Sequence, residues 1–348
     1  GELSGAGVAY KLAWRLMTLA HGSDRLPDDR RQLLLELLAL AALGTIADVV
    51  PLLEENRVLA RFGLSVIRST RFVGLNALIE ASSLDAERVS VEDVGFRLAP
   101  RLNACGRLGH AQEAVELLTT QDKKRAAEIA AELTRTNERR RAVEREIAAQ
   151  AADFAEVAGM TGPDRRAIVL AHESWHPGVV GIVCSRLVER FGRPTILLQR
   201  EGDRCAGSCR SVDGFDIHDA LTACAKHLDS FGGHIMAAGV KLSADRLPAF
   251  TEAFIEIANS RLAAEDLVPS LRIDCDAALD ELTPAIVERL ERLGPFGAGN
   301  PTPRIRMKGL RLVGPPQPLG AHGKHLKITV RQNERMLRMM GWSWGEHR

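Results

Sequence analysis

Residues 110–158 contain neither glycine nor proline, and from 122 to 157 they are rich in alanine, glutamate and arginine. These side chains lose little freedom in a helix and both helix breakers are absent, so the stretch predicts one continuous helix. At about 1.5 Å per residue it would run about 54 Å, long enough to link two bodies. Its charges are of both signs, eight basic and six acidic between 121 and 150, which reads as a solvated helix rather than a polyanion contact.

The sequence on either side differs in texture. Leucine, alanine and methionine at three- and four-residue spacing predict helices over 8–20 and 30–44. The apolar run 43–50 reads as a short strand or its end. Pro51 opens a helical segment to about 69, and 75–81 and 91–98 are further helical pieces. Beyond the long helix, strand (167–171), helix (179–191), strand (194–199), glycine-containing strand (205–211) and helix (217–228) alternate in α/β fashion. After 271 the alternation of 304–312, 325–331 and 336–342 predicts short β-strands.

The chain has 348 residues, which suits two or three domains. With 45% hydrophobic and 26% charged residues, collagen-like and disordered classes are excluded. No apolar run approaches the ~20 residues that span a bilayer, and Gly1-Glu2 opens nothing like a signal peptide, so the cytoplasm is the expected compartment. Six cysteines without a Cys-x-x-Cys pair argue against a disulfide framework or a zinc ribbon and predict reduced thiols. The net charge is only +1, so attraction to a polyanion must come from uneven placement. Between 302 and 340 nine Lys/Arg, among them Arg304, Arg306, Lys308, Lys324 and Lys327, face one acid, Glu334.

Several short motifs carry chemistry. His172-Glu-Ser-Trp-His176 matches the zincin spacing, but zinc binding there needs both histidines on one helix. Pro177-Gly178 follows at once, so they are not expected to share a helical face. Trp175-His176-Pro177-Gly178 before an apolar segment instead predicts a strand-to-helix turn whose free N–H groups suit an anion, with Ser185 following within two turns, or else an ordinary capped helix. Gly207-Ser208-Cys209-Arg210-Ser211 and Gly232-Gly233-His234 are read as two more anion-friendly loops. Asp48 is either a metal ligand or the cap of the helix after Pro51. Arg101, Asn103 and Arg107 offer either forked guanidinium contacts to phosphate or plain surface ion pairs.

Taken in order, 3–9, 44–52 (Gly-Thr-Ile-Ala-Asp-Val-Val-Pro-Leu), 100–108 (Pro-Arg-Leu-Asn-Ala-Cys-Gly-Arg-Leu), 175–183 (Trp-His-Pro-Gly-Val-Val-Gly-Ile-Val), 231–234 (Phe-Gly-Gly-His) and 295–301 (Pro-Phe-Gly-Ala-Gly-Asn-Pro) closely resemble the RecJ family of the DHH phosphoesterase superfamily. The resemblance covers nearly the whole chain. It implies an α/β fold with the C-terminal part of a DHH-type domain over 1–120, a connecting helix over 121–158, a DHH-associated α/β domain over 159–265 and a partial OB-type β-barrel over 266–348. It implies 5′→3′ exonuclease activity on single-stranded DNA with a 5′ end, using Mn²⁺ or Mg²⁺, in repair and recombination, with a single-strand-binding protein or a helicase as companion.

By position, the resemblance makes Asp48 the metal ligand of the fourth motif and places Arg101, Asn103 and Arg107 on DNA phosphate near the catalytic centre. His176, Gly178, Ser185, Arg210, Gly233 and His234 fall in motifs lining the DNA path. Cys105, Cys184 and Cys209 stand where the pattern has Ala, Ala and Gly, and the last is expected to narrow its loop. The family's first three metal-binding motifs are absent: there is no His-His, and the single Asp-x-Asp is Asp274/Asp276, read as a strand edge. The expected state is therefore an internal piece of a longer enzyme, inactive alone, with three of the five strands of an OB-fold. Two alternatives are a DHH-type phosphodiesterase for short oligonucleotides or cyclic dinucleotides, and a non-catalytic single-strand-binding piece.

Overall fold

The structure is a computed structural model describing residues 3–109, 111–268 and 270–346. In chain order its helices are α1 (Gly5–His21), α2 (Asp28–Ala47), α3 (Glu54–Ile67), α4 (Val73–Ala81), α5 (Val91–Asp93, continued as a π-helical turn, Val94–Leu98), α6 (Ala99–Leu108), α7 (Gln112–Thr119), α8 (Lys123–Val157), α9 (Pro177–Phe191), α10 (Ile217–Ala223), α11 (Leu247–Arg261) and α12 (Pro284–Glu291). The strands are β1 (Ile168–His172), β2 (Thr195–Glu201), β3 (Arg204–Arg210), β4 (Ser230–His234), β5 (Ala237–Ser243), β6 (Cys275–Asp276), β7 (Ile305–Arg306), β8 (Arg311–Leu312), β9 (Gln317–Leu319), β10 (His325–Gln332) and β11 (Arg335–Gly341). They fall into two compact units, Gly1–Thr70 with Ala86–Gly95 and Leu271–Arg348, and Arg71–Asp85 with Phe96–Ser270.

In the first unit α1, α2 and α3 pack together. Ser4 caps α1 by accepting from Gly7 N at 3.0 Å, and its hydroxyl pairs with buried Thr45 at 2.9 Å. The strand expected over 43–50 is instead the end of α2. Leucine and alanine from 33 to 43 are strong helix formers, and the helix carries Thr45 and Ile46 into the core before it stops. Asp48 closes that helix, its N–H bonded to Gly44 O at 3.0 Å, and Val49 turns left-handed at φ 57°. Asp48 therefore does not cap the helix after Pro51, whose N-cap is Leu53 without a side-chain bond. The 295–301 motif packs on the start of α3: Leu52 N donates to Ala298 O at 2.7 Å, and Arg57 donates to the carbonyls of Leu293 and Gly294.

The β-rich end of this unit centres on β10, paired with β11, β8 and β9, with β6 and β7 as a separate pair. The single strand expected over 304–312 is broken into β7 and β8 by a bend at Gly309. Short strands are thus more numerous than the three visible in the sequence.

In the second unit, a five-stranded sheet of order β1-β2-β3-β5-β4 has its β1–β2 pair parallel and the rest antiparallel. Because side chains alternate across a strand, β3 sends Cys205 and Cys209 into a core with Phe215, Phe250 and Phe254. Its other face meets α9, whose Val179, Val180, Val183 and Leu187 form a second core with Ile147, Ala151 and Trp175. The long helix is not the solvated rod that its charges suggest. The alanines and the residues at core spacing bury one side of α8 against α4, α6, α7 and α9, and even Glu144 is buried.

Candidate functional site

The chemistry-bearing residues of the second unit converge where α6, α9 and β3 meet. Arg107, near the end of α6, donates from Nη1 to Gly178 O at 3.1 Å. A Cβ at Gly178 would fall on the carbonyl oxygen of Arg107, so α6 and α9 can approach this closely because residue 178 has no side chain. A Cβ on Gly181, one turn on, would lie 3.1 Å from Ser208 Oγ and 3.4 Å from Arg210 Nη2, which locates both groups against the start of α9. Arg210 Nη1 donates to Cys209 O at 2.8 Å, which fixes the guanidinium.

The N-terminus of α9 is not the open anion nest that the turn suggested. His176 is its N-cap: Nδ1 accepts from Gly178 N at 3.1 Å, and its carbonyl accepts from Val179 N and Val180 N at 2.9 and 3.1 Å. These first N–H groups are already satisfied, which leaves the side chains of Arg107, Ser208 and Arg210 as the donors grouped at this point. The expected separation of the zincin histidines holds, with His172 ending β1 and His176 before α9.

The strand expected over 205–211 is present as β3 and carries Gly207–Arg210, whereas the expected Gly232–His234 loop is the end of β4. Register aligns Arg210 with Ala237 on β5, and Ala237 with His234 on β4, so His234 stands two strand spacings, about 10 Å, from Arg210 on the same face. A Cβ at Gly233, where φ is 153°, would collide with Ala237 O and Ala238, so glycine is needed to keep the two strands together. On this face Ser230, Gly232, Gly239 and Lys241 are also exposed. The result is a shelf floored by Gly232 and Gly239 next to the arginines, with Ser230, His234 and Lys241 along its border. Ser230 and Lys241 escaped sequence reasoning because the strand register alone places them there.

Other expected residues go elsewhere. Arg101 donates to Thr134 Oγ1 on α8 at 3.2 Å and to Arg97 O at 2.6 Å; burial, with Arg97 and Arg141 nearby, pulls its pKa down. Its role in this structure is to tie α6 to α8. Asn103 is exposed one helical turn before Arg107, on the same side of α6. Ser185 turns back to Gly181 O on its own helix at 3.5 Å and does not join the cluster. Cys209 narrows nothing, because it points into the opposite core.

All six cysteines are free, and Cys275 alone among them is exposed. Burial pushes the Cys184 thiol up to about 12, Cys224 up to about 11 and Cys209 well above the usual range. Since the thiolate is the reactive species, a disulfide reagent at about pH 8 is expected to titrate one thiol rapidly in the native chain and all six after denaturation. A second fast thiol would contradict this burial.

The basic strands are less free than their sequence implies. Asp276 takes Arg306 at 2.6 and 3.0 Å and Lys308 at 2.9 Å, and the two cations hold its carboxyl well below the usual range. Arg304 N donates to Asp274 at 2.8 Å. Lys324 is exposed and Lys327 half-buried. Close by, Trp342 packs edge-on against His325 at 5.0 Å. Trp342 and Trp344 are 67% and 56% exposed, which supplies aromatic surface that a count of four tryptophans hid.

Asp48 in the first unit is exposed at the end of α2. No group of three or more His, Cys, Asp or Glu able to hold a metal occurs among the described residues. A divalent cation such as Mn²⁺ or Mg²⁺ wants about six oxygen ligands, so this set does not by itself fit one.

A family model described as the DHHA1 domain matches residues 164–260, and one described as the RecJ OB domain matches 273–348. The chain is 40% identical over 347 residues to the single-stranded-DNA-specific exonuclease RecJ of Bacillus subtilis, covering 99% of this chain and 42% of that protein. To the protein of the same name from Escherichia coli it is 36% identical over 344 residues, covering 94% and 58%. The crystal structure of RecJ in complex with Mn²⁺ from Thermus thermophilus matches with a TM-score of 0.82 at 34% identity, covering 97% of this chain and 47% of that one. The Mg²⁺ complex from that organism gives 0.79 at 35%, covering 97% and 50%. The chain spans about half the length of the relatives it matches. With both domains matched in order and homology along nearly its whole length, the chain is a RecJ homologue.

Proposed function

We propose that this chain grips single-stranded DNA by its 5′ end for a RecJ-type 5′→3′ exonuclease acting in repair and recombination. The observation that carries the reading is the convergence of Arg107, Ser208 and Arg210 beside the glycine-floored shelf of β3, β5 and β4. Two guanidiniums and a hydroxyl suit a phosphate, and a glycine floor lets a sugar–phosphate chain lie close to the backbone. Lys241 continues the positive border, and His234 adds an imidazole donor beside it. Nothing in this arrangement reads base edges, so binding rests on backbone charge. In the first unit, Lys324 and Lys327 with the exposed tryptophans offer a separate basic and aromatic surface suited to single-stranded DNA.

Asp48 contributes one carboxylate to a metal centre in this reading. A carboxylate at the carboxyl end of a helix faces the negative pole of the dipole and gains nothing from it, so it is not placed there to stabilise α2. No further ligand group occurs among the described residues, and 1–348 alone is expected to bind DNA without digesting it. No described helix is long and apolar enough to cross a membrane, and the six free thiols suit the cytoplasm.

The purified chain should bind 5′-phosphorylated single-stranded DNA with an affinity that falls steeply with salt. Single-strand binding has a logarithmic slope of roughly −0.7 per phosphate neutralised. Affinity independent of salt would sink the reading, and EDTA-sensitive digestion in Mn²⁺ would overturn the inactive state. The competing reading, a phosphodiesterase for very short oligonucleotides, requires dinucleotides to bind at least as well as longer strands in a length series.

A further inference from the structure

The β4–β5 hairpin turns through Ile235 and Met236, which stand 60% and 44% exposed. This tip is also held fixed: Ile235 O accepts from Ile217 N and Met236 O from Ser211 N, each at 3.0 Å. Both carbonyls are thereby drawn toward the segment that follows β3. Ser211 is the residue after Arg210, and His234 precedes the tip, so the apolar pair sits at the Arg210–His234 end of the shelf.

We infer that Ile235 and Met236 form a fixed apolar contact for the base of the nucleotide whose phosphate lies at Arg210. The inference rests on the reading of this site as a grip on single-stranded DNA. A nucleotide has an anionic part and a flat apolar part. The first matches Arg107 and Arg210, and the second needs an apolar surface within one nucleotide of them. Isoleucine and methionine are among the side chains that proteins place against unstacked bases, and the methionine thioether contacts aromatic rings favourably. The contact tolerates any sequence, because every base offers a face.

The test uses the full chain and two 5′-phosphorylated oligodeoxynucleotides of about twelve residues, one complete and one with abasic sugars at its first two positions. Fluorescence anisotropy should show the wild type preferring the complete strand by about tenfold, the scale of a lost base contact. Ile235→Ser with Met236→Ser should abolish that preference and leave affinity for the abasic strand unchanged, whereas Ile235→Val with Met236→Leu should keep it. A wild type that binds both strands equally, or a double serine variant that retains the preference, overturns the inference. Equal loss on both strands overturns it too, since the tip would then serve folding or a protein contact. Circular dichroism checks the fold, and if the double variant fails it, Ile235→Ser alone carries the same readout. In those cases the DNA grip still stands, provided Arg210→Ala weakens binding to both strands. If the wild type binds neither strand, that reading falls and this inference falls with it.

Discussion

Glu144→Ala is expected to destabilise the chain by about 3–5 kcal/mol, the range for stripping one partner from a buried ion pair. The Glu144 side chain is 3% exposed and meets Arg140 at 3.0 Å, one turn earlier on α8, and Arg186 on α9. Arg140 is itself 12% exposed, and its Nε has no partner among the described residues. Burial pulls its pKa down, Glu144 opposes that, and Arg107, Arg141 and Arg186 add to the depression. Removing the carboxylate would leave a buried guanidinium facing three others. Arg186→Ala should cost only about 1 kcal/mol, because that side chain is 51% exposed and exposed pairs contribute little. Replacing Glu144 and Arg140 together by leucine should recover most of the loss, since an apolar pair of similar volume has no charge to bury. Urea denaturation of the three variants checks this, and a Glu144→Ala shift below about 1 kcal/mol would contradict the arrangement.

Arg210→Ala should weaken binding of 5′-phosphorylated single-stranded DNA by roughly 10- to 100-fold, because a hydrogen bond to a charged group contributes about 1.5–3 kcal/mol. Arg107→Ala should have a similar effect, and each should also lower the salt dependence by about one phosphate contact. The two are not expected to add simply, since both flank the start of α9 and, in the proposed grip, would share one anion. Arg101→Ala supplies the contrast. Its guanidinium ties α6 to α8 through Thr134, so it should lower stability more than it lowers the salt slope. Titrations at three salt concentrations separate the outcomes. Undiminished slopes for Arg107→Ala and Arg210→Ala would remove both from the phosphate site.

Helix was the easiest part of this fold to read, and α8 shows why: composition and the absence of breakers settle a local question. Its environment was not legible. The same charges that suggest a solvated rod include Glu144, whose partner Arg186 is forty-two residues away and becomes a neighbour only once α9 packs on α8. The run 43–50 misled because β-branched residues mark strand in isolation, while here the core takes up Thr45 and Ile46 from a helix. At the site, Gly178, Arg107 and Arg210 stood out as residue types that suit an anion. That His176 would consume the first N–H groups of α9 needed coordinates. So did the shelf, because β4 and β5 align Gly232 with Gly239, and Ser230 with Lys241, through pairing that no linear motif records.

The position of Arg210 has a mechanical consequence. It ends β3, a central strand with seven register pairs to β2 on one side and seven to β5 on the other. Tension applied there along the strand axis would load both ladders in shear, with all their bonds sharing the pull, instead of peeling them open one by one. If Arg210 holds a strand as proposed, pulling on that strand would free it from the guanidinium well before the sheet gave way.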